Sequence, residues 1–385
     1  MLLDIQSILG CNLFGIMRVG ILTFHRAKNY GAILQCYALS AYLSKKGHKI
    51  EVIDYFPSYF KAEDSIFPFQ KFKYCNIKGK INILLTFILA FPKIFKRNRV
   101  FNSFLNKHIV LSKCKYDESS SRVDGYDVIF VGSDQVWNRE ISGGADVFFT
   151  GHFDHEKSVL ASYAASSILN FTKDDEEKYY RDILNNFEYV SVREKSICSY
   201  LNSFNIKKCE QVLDPVLLLS QDQWKSIAIK PKDTNYLLLY MVKEDQRAYR
   251  IAQKLSALKG LKLIMIAPKV KIYRKGQCYE TLSPGAFVGY FAWADYVVST
   301  SFHGTAFAVK MERQFSTVLL GNSVDERSKD LLTTLGISDR LIPVDNEDIK
   351  DVKVDYSKVR VNLNMLIAQS DTYINSVFDY YSGNK

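Results

Sequence analysis

The chain has 385 residues, 47% of them hydrophobic and 24% charged, which is room for two ordinary domains with large cores and too apolar for disorder. Its net charge of +10 is uneven: Ser65 to Tyr116 holds no acidic residue but eleven lysines and arginines, so one basic segment carries the whole excess. Seven cysteines, odd in number and without C-x-x-C spacing, argue against a disulfide framework or zinc site and for a reducing, cytoplasmic home.

The first charge is Asp4, so no secretory signal is expected. Residues 1–16 read as an extension ahead of a second start at Met17, and are expected to be poorly ordered. A first Rossmann-like domain is expected over 17–225. It opens with an apolar strand (VGILTF, from Val19), a loop from His25 to Gly31, and a helix to about Lys46 with Leu34, Ala38, Leu39 and Leu43 at helical spacing. Gly47 ends that helix, and KIEVIDYF returns as a strand, which makes a βαβ unit and predicts a parallel sheet. Ligands bind at such strand-to-helix loops. His25 is therefore a candidate for the cleft. Asn29 and Gly31 either let backbone approach a substrate or simply start the helix.

Within the basic segment, 65–116, the run Ile81 to Phe91 is almost wholly apolar, and Lys78, Asn82, Thr86, Lys93 and Arg97 form one polar stripe at helical spacing. The run is short of the roughly 20 residues of a membrane span. It predicts a helix lying in the inner-membrane interface, with Lys93, Lys96, Arg97 and Arg99 on anionic headgroups, or a helix buried against the first domain. Nucleic acid is not an expected partner, because no recognised module accompanies the charge.

A buried strand from Asp127 to Val131 is followed by Gly132-Ser133-Asp134-Gln135, where Asp134 is either an acceptor-hydroxyl contact or a loop cap. Trp137 and Tyr163 either stack on a sugar or pack in the core. His152, Asp154 and His155 have no helical context or further ligands, so they read as a solvated loop and no metal is expected. A strand over 158–163, a helix over 174–187 and a short strand over 189–192 lead to Arg193 and Glu194, which open another helix. Leu213-Asp214-Pro215-Val216 closes the first half. Gln223 to Thr234 is polar, contains Pro231, and reads as a linker.

A second Rossmann-like domain is expected over 235–345, with strands at 236–242, 261–267 and 315–319 and helices at 244–258 and 284–294. Its centre is the run ADYVVSTSFHGTAFAV from Ala294. This reads as a buried strand (Tyr296 to Thr300), a sharp turn carrying Ser301 and His303, and a helix opening at Gly304. Such a turn gathers free N–H groups and the positive end of the helix dipole into an anion site, and a histidine held there can carry a proton. The tail, 346–385, has the periodicity of an amphipathic helix over 359–380 that packs back on the first half. Two open α/β domains leave a cleft for ligands.

VGILTFHRAKNYGAILQCYALSAYL, DVIFVGSDQVWN, SYAAS, SVREKS, LDPVLLL and ADYVVSTSFHGTAFAV, in this order, resemble the polysaccharide pyruvyl transferase family. The resemblance implies a GT-B-like fold, two Rossmann-like domains facing across a cleft. It implies transfer of a pyruvyl group from phosphoenolpyruvate to sugar hydroxyls, giving a ketal and phosphate, in capsule, exopolysaccharide or wall glycan synthesis. The acceptor is then a lipid-linked or polymeric glycan, and no cofactor is implied, phosphoenolpyruvate being the donor substrate. Arg193 matches a family position linked to donor binding, His303 matches the family histidine, and Gly304 and Thr305 can add N–H donors. The family arginine two residues before the histidine is here Ser301, which leaves Lys310, Arg327 and Arg26 as cations to replace it. Two other functions fit the same architecture: a GT-B glycosyltransferase using a nucleotide sugar, and a non-catalytic scaffold for glycan assembly.

Overall fold

Strands buried on both faces carry unbroken apolar runs, and the two sheets here are built from them. The structure is a computed structural model that describes residues 15–63, 67, 69–169, 175–271, 276–346 and 353–383, so most of the 1–16 extension and residues 65, 66 and 68 of the basic segment lie outside the described residues. The first sheet contains β1 (Arg18–Leu22), β2 (Lys49–Tyr55), β3 (Leu111–Tyr116), β4 (Val128–Val131) and β5 (Val159–Ser162), in the order β3-β2-β1-β4-β5. All pairs are parallel, with Val19 opposite Ile50 on one side and Val128 on the other. Helix α1 (Tyr30–Lys45) makes the crossover from β1 to β2.

Beyond β5, β6 (Val190–Val192) and β7 (Cys209–Gln211) pair in parallel and join the sheet through bridges at Ala161–Tyr189 and Ala165–Val192. The second sheet holds β8 (Tyr236–Tyr240), β9 (Lys262–Ile266), β10 (Cys278–Tyr279), β11 (Tyr296–Ser299), β12 (Gln314–Val318) and β13 (Leu341–Ile342), in the order β10-β9-β8-β11-β12-β13, again all parallel. The chain is thus α/β with two Rossmann-like domains. In each sheet the strand order reverses once, between β1 and β4 and between β8 and β11. Loops at the carboxyl ends of these strands are where open α/β sheets bind ligands. The turns that follow β1, β4 and β11 carry His25, Asp134 and His303.

The expected linker, 223–234, is a loop only from residue 228 onward. After α3 (Pro215–Leu218), Ser220 and Gln223 form a reciprocal cap that starts α4 (Gln221–Ile227), and Trp224 is buried with its indole N–H on the Val216 carbonyl at 3.0 Å. The S-x-x-Q capping signature outweighs the polar composition that pointed to a linker.

The basic segment is one long helix, α2 (Ile77–His108), with Pro92 inside it. Phe101, Phe104 and Leu105 of its last turns are buried in the core, as the expectation of a helix packed against the body of the protein has it. In the second domain, α5 (Pro284–Ala292) precedes β11, α6 (Phe302–Lys310) follows it, and α7 (Asp325–Thr334) follows β12. The closing helix α8 (Tyr356–Gly383) lies over the first sheet: the Tyr373 hydroxyl donates to the Ser162 carbonyl at 2.7 Å and Ser370 Oγ accepts the Leu213 N–H at 2.9 Å. At its other end, the Tyr356 hydroxyl donates to the Arg313 carbonyl at 2.5 Å, so one helix ties both domains together.

Candidate functional site

Helix α6 begins at Phe302, two residues earlier than the sequence predicts, with Ser301 as its N-cap residue. Ser299 Oγ accepts the Ser301 N–H at 3.0 Å and donates to the Tyr240 carbonyl at 3.1 Å, which sharpens the turn after β11. Gly304 also serves the packing: a Cβ there would come within 2.1 Å of Ser299 Oγ, and glycine lets the helix settle on the strand. Thr305 is also accounted for internally. Its N–H donates to the Ser301 carbonyl at 2.9 Å, and its hydroxyl lies 2.8 Å from that of Thr317. The N–H groups left without intrahelical acceptors here are those of the helix's first residues, Phe302 to Gly304, the kind of donors that suit an anion.

Across this turn stand charged groups from the other domain. Arg193 is buried after β6, and its Nη1 donates to Asp214 Oδ2 at 2.5 Å. Its Nε reaches Glu194 Oε1 at 3.3 Å, and its guanidinium sits 4.6 Å from the centre of the Phe302 ring. Nη2 is buried with no hydrogen-bond partner. Asp214 does two jobs with its two oxygens. Oδ1 accepts the Val216 N–H at 3.0 Å and caps α3, while Oδ2 takes Arg193 and lies 3.6 Å from His303 Nε2. That last distance is too long for a hydrogen bond but close enough for an ion contact. The residue pair Asp214-Pro215 reads in sequence as a helix start and nothing more, which is why its second role goes unseen there.

The electrostatics follow from burial. Burial by itself raises the Asp214 carboxyl, but His303 and then Arg193 outweigh it and hold Asp214 well below the usual carboxylate range. Burial pushes the Glu194 carboxyl up, against the pull of Arg193, Arg327 and the Ser166 hydroxyl, which donates to it at 2.6 Å. Arg327, on α7, is buried within electrostatic reach of Arg193, Glu194, Asp134 and Asp214. Burial and the Arg193 charge both pull its affinity for a proton below the guanidinium norm. Among the described residues it has neither an ion pair nor a hydrogen bond. Beside the two guanidinium groups an opening of about 500 Å³, solvent-filled mouth included, is lined by Arg193, Asp214, Phe302 and Arg327, with Asp330 and Ser370 from α7 and α8. His303 is not on its wall, and meets Asp214 from the side of Gly31.

Gly31 has a role the sequence did not indicate. A Cβ on Gly31 would stand 2.2 Å from His303 Nδ1, so what this glycine admits is the His303 imidazole of the other domain. Asn29 is the helix start: its side chain accepts the Gly31 N–H at 2.8 Å. His25 does not offer a free nitrogen to the cleft. It is buried, with Nδ1 3.0 Å from the Thr23 carbonyl and Nε2 3.1 Å from Asp54. Arg26 is likewise occupied, clamping Asp54 with two bonds of 2.6 Å. Lys310 lies at the far end of α6, about 10 Å along the axis from His303. Of the three replacement cations, Arg327 alone joins the cluster. Asp134 is the loop cap: it caps the Gln135 N–H at 2.9 Å, with a left-handed backbone (φ 74°), and its charge also acts on Arg193 and Arg327.

Trp137 and Tyr163 are buried, donating to the carbonyls of Phe149 at 2.9 Å and Leu213 at 3.0 Å, so they belong to the core. His152 pairs with Asp182 and Asp154 with Arg122, while His155 Nδ1 lies 2.9 Å from the Ser158 carbonyl; the three do not converge. Among the described residues no group of three metal-type side chains gathers anywhere.

The depressed Asp214 carboxyl makes acid stability a test of this cluster. A carboxylate whose pKa is lower folded than unfolded contributes stability that is complete above the unfolded value and lost as pH falls toward the folded one. Asp214→Asn is expected to melt lower than wild type at pH 7, by roughly 2–3 kcal/mol, and the gap is expected to close progressively below about pH 5. Melting temperatures of both proteins measured across that range check it. A gap that stays constant into acid would remove Asp214 from the ion cluster.

Among solved structures the chain resembles the UDP-GlcNAc 2-epimerase from Neisseria meningitidis bound to UDP-GlcNAc, with TM-score 0.44, 11% identity, and coverage of 94% of each chain. It also resembles the E. coli ADP-heptose lps heptosyltransferase II, with TM-score 0.34, 11% identity, and coverage of 92% of this chain and 100% of that one. No curated protein matches it. The ordered motifs, the two facing parallel sheets and the histidine turn agree with the one family model that spans the cleft: polysaccharide pyruvyl transferase matches residues 29–319, well over half the sequence, and the chain belongs to that family.

Proposed function

We propose that this chain transfers a pyruvyl group from phosphoenolpyruvate to two hydroxyls of a lipid-linked or polymeric glycan, forming a ketal and releasing phosphate. The observation that carries the reading is the pair of buried guanidinium groups, Arg193 with a partnerless Nη2 and Arg327 with no hydrogen bond, beside an imidazole paired with a carboxylate. Phosphoenolpyruvate brings a carboxylate and a phosphate, which planar guanidinium groups bind through parallel N–H bonds. The N–H groups at the start of α6 add neutral donors for the same anion.

In this mechanism Asp214 holds the His303 imidazolium. The ring gives its proton to the methylene carbon of the donor, which becomes the methyl group, and positive charge develops at the adjacent carbon. One acceptor hydroxyl oxygen bonds to that carbon and its proton restores His303. The carbon–oxygen bond to phosphate then breaks. The second hydroxyl oxygen takes the vacated position, and its proton leaves with phosphate. Glu194 and Asp134 limit the net positive charge that the two arginines present between turnovers.

The test is phosphate release from phosphoenolpyruvate by the purified protein with and without glycan acceptor. Acceptor-dependent release supports the reading; none, together with saturable binding of a nucleotide sugar, would replace it with glycosyl transfer. Arg327→Gln is expected to raise KM for phosphoenolpyruvate about tenfold, since one charge-assisted anion contact is removed. An unchanged KM would place the donor elsewhere.

A further inference from the structure

The two halves of α2 have opposite surroundings. Ala90, Arg97, Phe101, Phe104 and Leu105 are buried and share one side of the helix, and half-buried Ile83, Phe87 and Ile94 continue that side toward its N-terminus. At about 100° per residue, Ile77, Ile81, Leu84, Leu85, Ile88 and Phe91 fall on the opposite side. Those six side chains are 42–77% exposed, a continuous apolar stripe turned away from the body of the protein.

The cations sort by the same geometry. Lys93 pairs with Glu280 at 2.9 Å, and Arg97 donates at 2.8 Å to the carbonyls of Lys28 and Glu280 while covering the Tyr30 ring. These two anchor the helix to the second domain, so the sequence expectation that they meet a surface is corrected. Lys78, Lys96 and Arg99 are exposed, and they flank or extend the apolar stripe.

We propose that the exposed half of α2 lies in the interface of an anionic lipid bilayer, with its apolar stripe among the acyl chains and Lys78, Lys96 and Arg99 at the headgroups. Charge complementarity selects this occupant over a second copy of the chain. From residue 65 to 116 there is no acidic residue, so two copies meeting here would set cations against cations. None of the described helices is long and apolar enough to cross a membrane, so the contact is a surface one. Delivery of a lipid-linked acceptor to the cleft, the purpose this serves, rests on the function proposed above. The docking itself does not, and it is measured without donor or acceptor, so the two ideas fail separately.

The experiment is flotation of the full chain with vesicles of phosphatidylcholine alone or with about one third phosphatidylglycerol. At least about tenfold more protein is expected on the anionic vesicles, falling as salt is raised. The pairs Leu85→Asp with Ile88→Asp, and Lys78→Glu with Lys96→Glu, alter exposed positions and are expected to melt like wild type yet lose vesicle binding. Equal recovery on both vesicle types, no recovery on either, or variants that float like wild type would overturn the proposal. So would a wild-type dimer in solution that the Leu85→Asp, Ile88→Asp pair turns into monomer.

Discussion

His303→Gln is expected to cut acceptor-dependent phosphate release by roughly 10²–10⁴-fold, the usual contribution of a positioned general acid. Glutamine fills much of the same volume and still offers an N–H toward Asp214, but it cannot carry a proton at neutral pH. The loss is therefore expected in kcat, while the apparent affinity for phosphoenolpyruvate, set by Arg193 and Arg327, stays near wild type. Melting temperature is the control, because the ring is buried against Gly31 and a truncation would leave a hole. Glutamine avoids most of that hole. A variant that keeps more than about a tenth of the wild-type kcat would move the proton transfer to another group.

Arg193 needs a gentler substitution for the same reason of burial. Its guanidinium neutralises Asp214 and Glu194 in a space closed to water, so an alanine there strands two carboxylates and confounds activity with folding. Arg193→Lys keeps the charge and removes the forked geometry, and separates the two effects.

The fold was largely legible because the central strands are short runs rich in β-branched or aliphatic residues buried on both sides, and the crossover helices keep their spacing. DVIFV, YVVST and YLLLY could be placed within a residue or two on that ground alone. What sequence missed has a common cause. Asp214 and Gly31 both meet His303, more than eighty residues away in sequence, and locally each has a sufficient explanation, a cap and a helix residue. Thr305 failed in the opposite way, its N–H being spent on the Ser301 carbonyl. The motif around it is real, but its small residues serve the packing of α6 on β11 and β12, where a glycine against Ser299 and a threonine against Thr317 close the gap. His25 was drawn toward the cleft by its place after β1. Asp54, at the end of the neighbouring strand, is close enough to claim both it and Arg26, and that pairing is long-range. The linker reading missed the helical turn over 223–227 because composition was weighed over capping.

Gly31→Ala is expected to lower turnover about 10²-fold although the substitution touches no substrate. Glycine inside a helix ordinarily costs about 1 kcal/mol relative to alanine, so by local reasoning this change should stabilise α1. Here the added methyl would stand 2.2 Å from His303 Nδ1 and 2.6 Å from Cε1, where ordinary contact needs about 3.4 Å or more. The imidazole must move by about 1 Å, and a shift of that size in a reacting group is worth about two orders of magnitude in rate. Because Gly31 comes from the first domain and His303 from the second, the clash can also be relieved by parting the domains, which withdraws the ring from Asp214; both routes reach the same kinetic result. The second variant that isolates the cause is His303→Ala. In that background the methyl has room, so Gly31→Ala is expected to have no further effect on rate and to recover the helix stabilisation of up to about 1 kcal/mol in melting experiments. Rates that multiply in the double variant, or a single Gly31→Ala protein with wild-type kcat, would show that the ring does not depend on this glycine for its place.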